Sequence, residues 1–116
     1  MTEKPPILFL VFNRHYTASK VFEIIRNEKP NKLYIAADGP RDNFEEDFKK
    51  CEKVRKIFSN IDWECKIFTL FQKTNLGPMK SQITAINWFF ENESEGIILE
   101  DDSLPNKSFF RFCETL

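Results

Sequence analysis

Three acids stand in a row at Glu100, Asp101 and Asp102, directly after an apolar run, in the stretch "EGIILEDDSLP". Adjacent carboxylates repel one another unless a cation compensates them. Their hard oxygens suit Mg2+ or Mn2+, ions that keep open positions for phosphate oxygens. Taken alone, the run reads first as a solvated turn, with Asp102 or Ser103 capping the bend. What surrounds it in the fold decides between the two.

Three other polar groups follow apolar runs in the same way: Asn13, Arg14 and His15; Asp38, Gly39, Pro40 and Arg41; and Lys73, Thr74, Asn75 and Gly77. Each also has an ordinary structural explanation. Asp38-Gly39-Pro40 makes a good turn, an exposed arginine such as Arg14 more often pairs with a surface acid, and Lys80 on a first helical turn is usually solvated. His15 is the only histidine, too isolated for a metal site, and marks a helix start. Trp63 and Trp88 are most economically packing residues.

The elements that must position these groups can be read from periodicity. "PILFLVF" is short and apolar on both faces, as a buried strand is. Ala18, Val21, Phe22 and Ile25 then fall on one helical face, and "NEKPNK" ends that helix. "KLYIAAD" reads as a second strand, closed by the turn "DGPRDN". Phe44, Phe48, Cys51, Val54 and Phe58 predict the inward stripe of a longer helix. "WECKIFTLFQ" predicts a third strand. Met79, Ile83, Ile86 and Phe90 predict a third helical stripe, starting after Pro78, and "GIILE" a fourth strand. A further helix is expected to start in "LPNKSFFRFCETL", and the absence of a closing signal suggests a chain truncated at its C-terminus.

Strands alternating with helices predict a three-layer α/β/α domain with a mainly parallel, Rossmann-like sheet over residues 1–116. In such sheets ligands bind beyond the carboxyl ends of the strands. All four polar groups sit at those ends, so they should converge on one rim. That convergence weighs more than any single motif.

Composition narrows the partners. A length of 116 residues allows one domain with a real core, and 41% hydrophobic residues, 13 of them phenylalanine, supply it. A net charge of −1 offers no basic field for nucleic acid. Cys51, Cys65 and Cys113 lack pairing or metal spacing, as expected of packed thiols in a cytoplasmic protein. "ILFLVF" is too short to span a bilayer, though a place peripheral to a membrane stays open. Neither a G-x-x-x-x-G-K-[ST] loop nor a G-x-G-x-x-G turn occurs, and 3 glycines cannot cradle a pyrophosphate by backbone alone. A phospho-acceptor receiver domain would need acids where this chain has Asn13 and Arg14.

In combination, "LVFNRH", "IAADGPR", "TNLGPMKS" and "ILEDDSLP" resemble the nucleotide-sugar-binding half of GT-A-type glycosyltransferases, with a D-x-D-like motif reading Glu-Asp-Asp. The resemblance spans essentially the whole chain. It implies an enzyme that binds a nucleoside-diphosphate sugar, a UDP-sugar favoured, and transfers the sugar to a hydroxyl of an acceptor glycan or glycoconjugate. It further implies that Asp102 ligates Mn2+ or Mg2+, while Glu100 and Asp101 face ribose and sugar hydroxyls. Asp38 would hydrogen-bond the base. Phe12, Asn13 and Arg14 would cover base and ribose, with Arg14 a phosphate partner, and Asn75, Gly77 and Lys80 would flank the diphosphate. The catalytic base of such enzymes lies beyond the metal motif, so none is named here and transfer by these residues alone stays open. Two rivals remain: a non-catalytic nucleotide- or metal-binding module, and a nucleotidyltransferase, which would normally carry a glycine-rich basic loop where this chain has "VFNRHYT".

Overall fold

A computed structural model describes residues 4–102. Four strands form one all-parallel sheet: β1 (Ile7–Val11), β2 (Lys32–Ala37), β3 (Lys66–Phe71) and β4 (Ile97–Glu100), in the order β3-β2-β1-β4. Between them run α1 (His15–Glu28), α2 (Asp47–Lys56), which tightens into a 3-10 turn at Ile57–Asn60, and α3 (Pro78–Asn92). The expected helix within residues 103–116 lies outside the described residues.

The inner strands β1 and β2 are covered on both sides, which gives three layers, while the edge strand β3 is largely exposed. Because side chains alternate along a strand, Ile7, Phe9 and Val11 of β1 and Leu33, Ile35 and Ala37 of β2 point to one face. There they meet Ala18, Val21, Phe22 and Ile25 of α1, and Val54, Ile57 and Phe58. Phe58 sits edge-on to both Phe9 and Phe22, at 5.8 and 5.5 Å between ring centroids. Each such fully buried side chain contributes roughly 1.5–3 kcal/mol. Leu8, Tyr34 and Ala36 face the opposite side, against Ala85 and Phe89 of α3. Trp63 and Trp88 pack partly buried at the margins of the two clusters.

The α1 stripe is as periodicity predicts, and α1 does start at His15. The α2 stripe holds at Cys51, Val54 and Phe58 and departs from expectation at Phe44 and Phe48, whereas the α3 stripe is rotated. In α2 the inward positions are Asp47, Cys51 and Val54, while Phe44 and Phe48 are 51% and 60% exposed. A paired carboxylate occupies the inward position that the phenylalanines had suggested. In α3 the buried positions are Ala85 and Phe89, Ile86 is half-buried, and Met79, Ile83 and Phe90 lie outside. The face toward β1 and β2 is small and flat there, with Tyr34 edge-on to Phe89 at 4.9 Å. Alanine and one ring fill it.

Chain order explains where a site forms. The chain steps from β1 outward to β2 and β3, then returns past β1 to β4. The connections leaving β1 and returning to β4 lie on opposite faces, opening a crevice beyond the carboxyl ends of these neighbours.

Candidate functional site

That crevice is present. A cleft of about 530 Å³ runs along the carboxyl rim, bordered by Phe12, Asn13 and Arg14 after β1, Asp38 and Arg41 after β2, and Asn75 before α3. Glu100, Asp101 and Asp102 after β4 close its other end, and Ser81 and Gln82 from the first turns of α3 form one wall. Of the residues expected at the site, Phe12, Asn13, Arg14, Asp38, Asn75, Glu100, Asp101 and Asp102 therefore share one cavity. Gly77 and Lys80 do not line it; they border a separate hollow with Met79 and Ile83. Gly77 instead sets the entry to α3, with a φ of 89° that favours glycine.

At the β2 end, the buried Asp38 carboxylate organises two loops. Oδ1 accepts from the backbone N–H of Gly39 and of Leu76, each at 2.8 Å, and Oδ2 accepts from Asn75 Nδ2 at 3.1 Å. Asn75 Nδ2 also donates to the Gly39 carbonyl at 2.9 Å. The loops touch closely enough that a Cβ on Gly39 would lie 2.5 Å from the Thr74 backbone. From the other side, Arg55 Nη2 donates to the carbonyls of Asp38 and Gln72, at 3.2 and 2.8 Å, tying the ends of β2 and β3 together.

A second buried acid stands beside it. Asp47, 2% exposed at the start of α2, accepts from Arg41 Nε at 2.6 Å, Arg41 Nη2 at 3.0 Å and the Arg41 backbone N–H at 3.1 Å. Asn13 Nδ2 completes the set at 3.0 Å, linking the β1 loop to the same carboxylate. The Arg41 hydrogen bonds hold the Asp47 carboxyl well below the usual carboxylate range, against the opposing effect of burial. The Arg41 guanidinium lies 3.7 Å from the Phe44 ring centroid and 5.6 Å from that of Phe12. Sequence reasoning placed Arg41 at a strand end without a role and overlooked Asp47. The available signal was Asp47 standing four residues before Cys51 and seven before Val54, an acid on the inward stripe.

The β4 end is different in kind. Asp101 is half-buried, and burial pushes its carboxyl up; Asp102 and Glu100 push it further, while nearby Arg14 draws it down. Glu100 accepts from Gln82 Nε2 at 3.3 Å, and Asp102 is exposed. Among the described residues no three metal-ligating side chains converge on a common point. The chain thus offers an ion one or two carboxylates here, and its remaining positions would fall to a ligand's oxygens and water. That is a fit for a hard divalent cation shared with a diphosphate, and a poor one for a protein-caged ion.

Fold and cleft together define a parallel α/β protein with a crevice at its topological switch point. No family model, curated protein or solved structure matches the chain. Among the described residues no helix is long and apolar enough to cross a membrane.

Proposed function

We propose that this chain is the donor-binding part of a metal-dependent glycosyltransferase. It holds a nucleoside-diphosphate sugar, a UDP-sugar favoured, for transfer of the sugar to an acceptor hydroxyl of a glycan or glycoconjugate. The observation that carries the reading is the division of labour along one cleft: consecutive acids at its β4 end, the Arg14 cation beside them, and amide and aromatic groups at its β2 end. A nucleoside diphosphate has the matching order of parts.

The exposed Asp102, at the cleft's acidic end, is the carboxylate that the resemblance assigns to Mn2+ or Mg2+. When bound, the ion supplies Lewis-acid neutralisation of the departing diphosphate. Arg14 contributes a charge-assisted contact to the same phosphates, and Glu100 and Asp101 accept from ribose or sugar hydroxyls. Charge stabilisation at the leaving group is the catalytic contribution these residues can make.

Calorimetry of UDP binding with and without Mn2+, on the wild type and on Asp102→Asn, tests the reading. Metal-stimulated binding that Asp102→Asn abolishes is expected. Binding indifferent to both metal and substitution would instead mean a non-catalytic nucleotide module.

A further inference from the structure

The Asp38 carboxylate already accepts three hydrogen bonds from Gly39, Leu76 and Asn75, so its first task is to shape the loops. Oδ2, with one hydrogen bond, keeps an acceptor site for a base N–H, and a stacking surface would be a second means of distinguishing a base from bare phosphate. Sheet order says where to look. In the order β2-β1-β4 the acids stand at one end of the cleft and the β2 loop at the other, so a diphosphate at the acids places a nucleobase beside Phe12 and Arg41.

Arg41 is an unusual cation in this place. Asp47 takes its Nε and Nη2 in a two-pronged pair and offsets its charge. Phe44 lies 3.7 Å from its guanidinium carbon and does not line the cleft, so it backs the guanidinium from outside. Phe12 lines the cleft next to it. A planar group whose charge is compensated along one edge by a buried carboxylate is a weaker phosphate ligand than a free arginine and a good stacking surface. Asn13, bound to the same carboxylate, fixes the Phe12 loop against this surface.

We infer that Arg41, positioned by Asp47 and backed by Phe44, forms with Phe12 a stacking platform for the heteroaromatic base of the bound nucleotide. This rests on the donor-binding reading and adds the group that makes the cleft prefer a nucleotide over a bare diphosphate. Asp47 is the positioning residue: it acts by fixing the orientation of the planar guanidinium and compensating its charge.

The test compares UDP with inorganic pyrophosphate, both in Mn2+, on the whole chain. Wild type should bind UDP more tightly than pyrophosphate. Arg41→Lys, which keeps the charge and loses the plane, should lower UDP affinity about tenfold, the scale of one base–aromatic stack, and leave pyrophosphate within about twofold. Phe12→Leu, which spares the Asp47 pair, should show the same selective loss. Equal losses for both ligands would overturn the platform. A readout that needs no variant is the Arg41 Nε–H resonance of the wild type: UDP should shift it by ring current and pyrophosphate should not, and the reverse overturns the inference. If wild type binds pyrophosphate and UDP equally well, the platform fails while the metal–diphosphate reading stands. If it binds neither, both fail.

Discussion

The two ends of the cleft solve opposite problems. At the β2 end two acids are buried and each carboxylate is firmly held: Asp38 by three hydrogen bonds from Gly39, Leu76 and Asn75, Asp47 by four from Arg41 and Asn13. At the β4 end three acids stand in sequence, and the strongest influence on Asp101 is the burial that disfavours its charge. A fully satisfied polar network rigidifies what it joins, whereas a half-satisfied one is costly until something completes it. The first end is built to stay as it is. The second leaves its acids at the cleft, with Arg14 the cation nearby.

If that contrast is right, removing an acid should have opposite consequences at the two ends. The largest effect is expected for Asp38→Ala. It leaves the Gly39 and Leu76 amides and the Asn75 side chain without their acceptor in a buried setting, at a cost of about 3 kcal/mol. Denaturant midpoints at neutral pH measure this. A loss below about 1 kcal/mol would show that the loops hold without the carboxylate, and the two ends would no longer differ.

Acid should attack the same end next. The Asp47 carboxyl is lowered from an ordinary value of 3.8, chiefly by its Arg41 hydrogen bonds. A depressed folded value means that this contribution is present above pH 3.8 and is lost as pH falls from there through the folded value. Stability should therefore drop steeply below about pH 4, and Asp47→Asn should flatten that slope while lowering the melting temperature by several degrees at pH 7. An unchanged slope would place the acid sensitivity in another carboxylate.

Much of this architecture is legible in the sequence, and the reasons differ by element. β1 and α1 carry redundant signals, continuous apolar residues in one and a clean stripe in the other, so their faces follow directly. The convergence of polar strand ends needs only the parallel topology, and eight of the ten expected site residues line the cleft as a result. Lys80 misses it because α3 is rotated, which turns Ser81 and Gln82 toward the cleft instead, and Gly77 lies before that helix and sets its entry. Hydrophobic periodicity could not show that rotation, since Phe89 and Phe90 are adjacent and only the Tyr34 surface chooses between them. The Asp47–Arg41 pair was hidden for a related reason. An acid on an inward stripe looks like a breach of the pattern until its partner is known, and the partner lies in a loop six residues earlier.

The smallest expected effect is the one that separates the two ends most cleanly. Asp101→Asn removes a carboxyl whose charge is disfavoured by burial first and by Asp102 and Glu100 after it. Because its folded value is raised, the ionised form costs stability once pH rises through that value, and an amide of the same shape avoids the cost. The variant should be as stable as wild type at pH 7 or more stable by about 0.5 kcal/mol, the range of substitutions that break no network. Its melting temperature should also respond less to Mn2+, since one of the acids that favours a cation is gone. A marked destabilisation would mean that Asp101 is held by contacts as firm as those of Asp38. The acidic end would then be structural, and the case for a site there would rest on Asp102 alone.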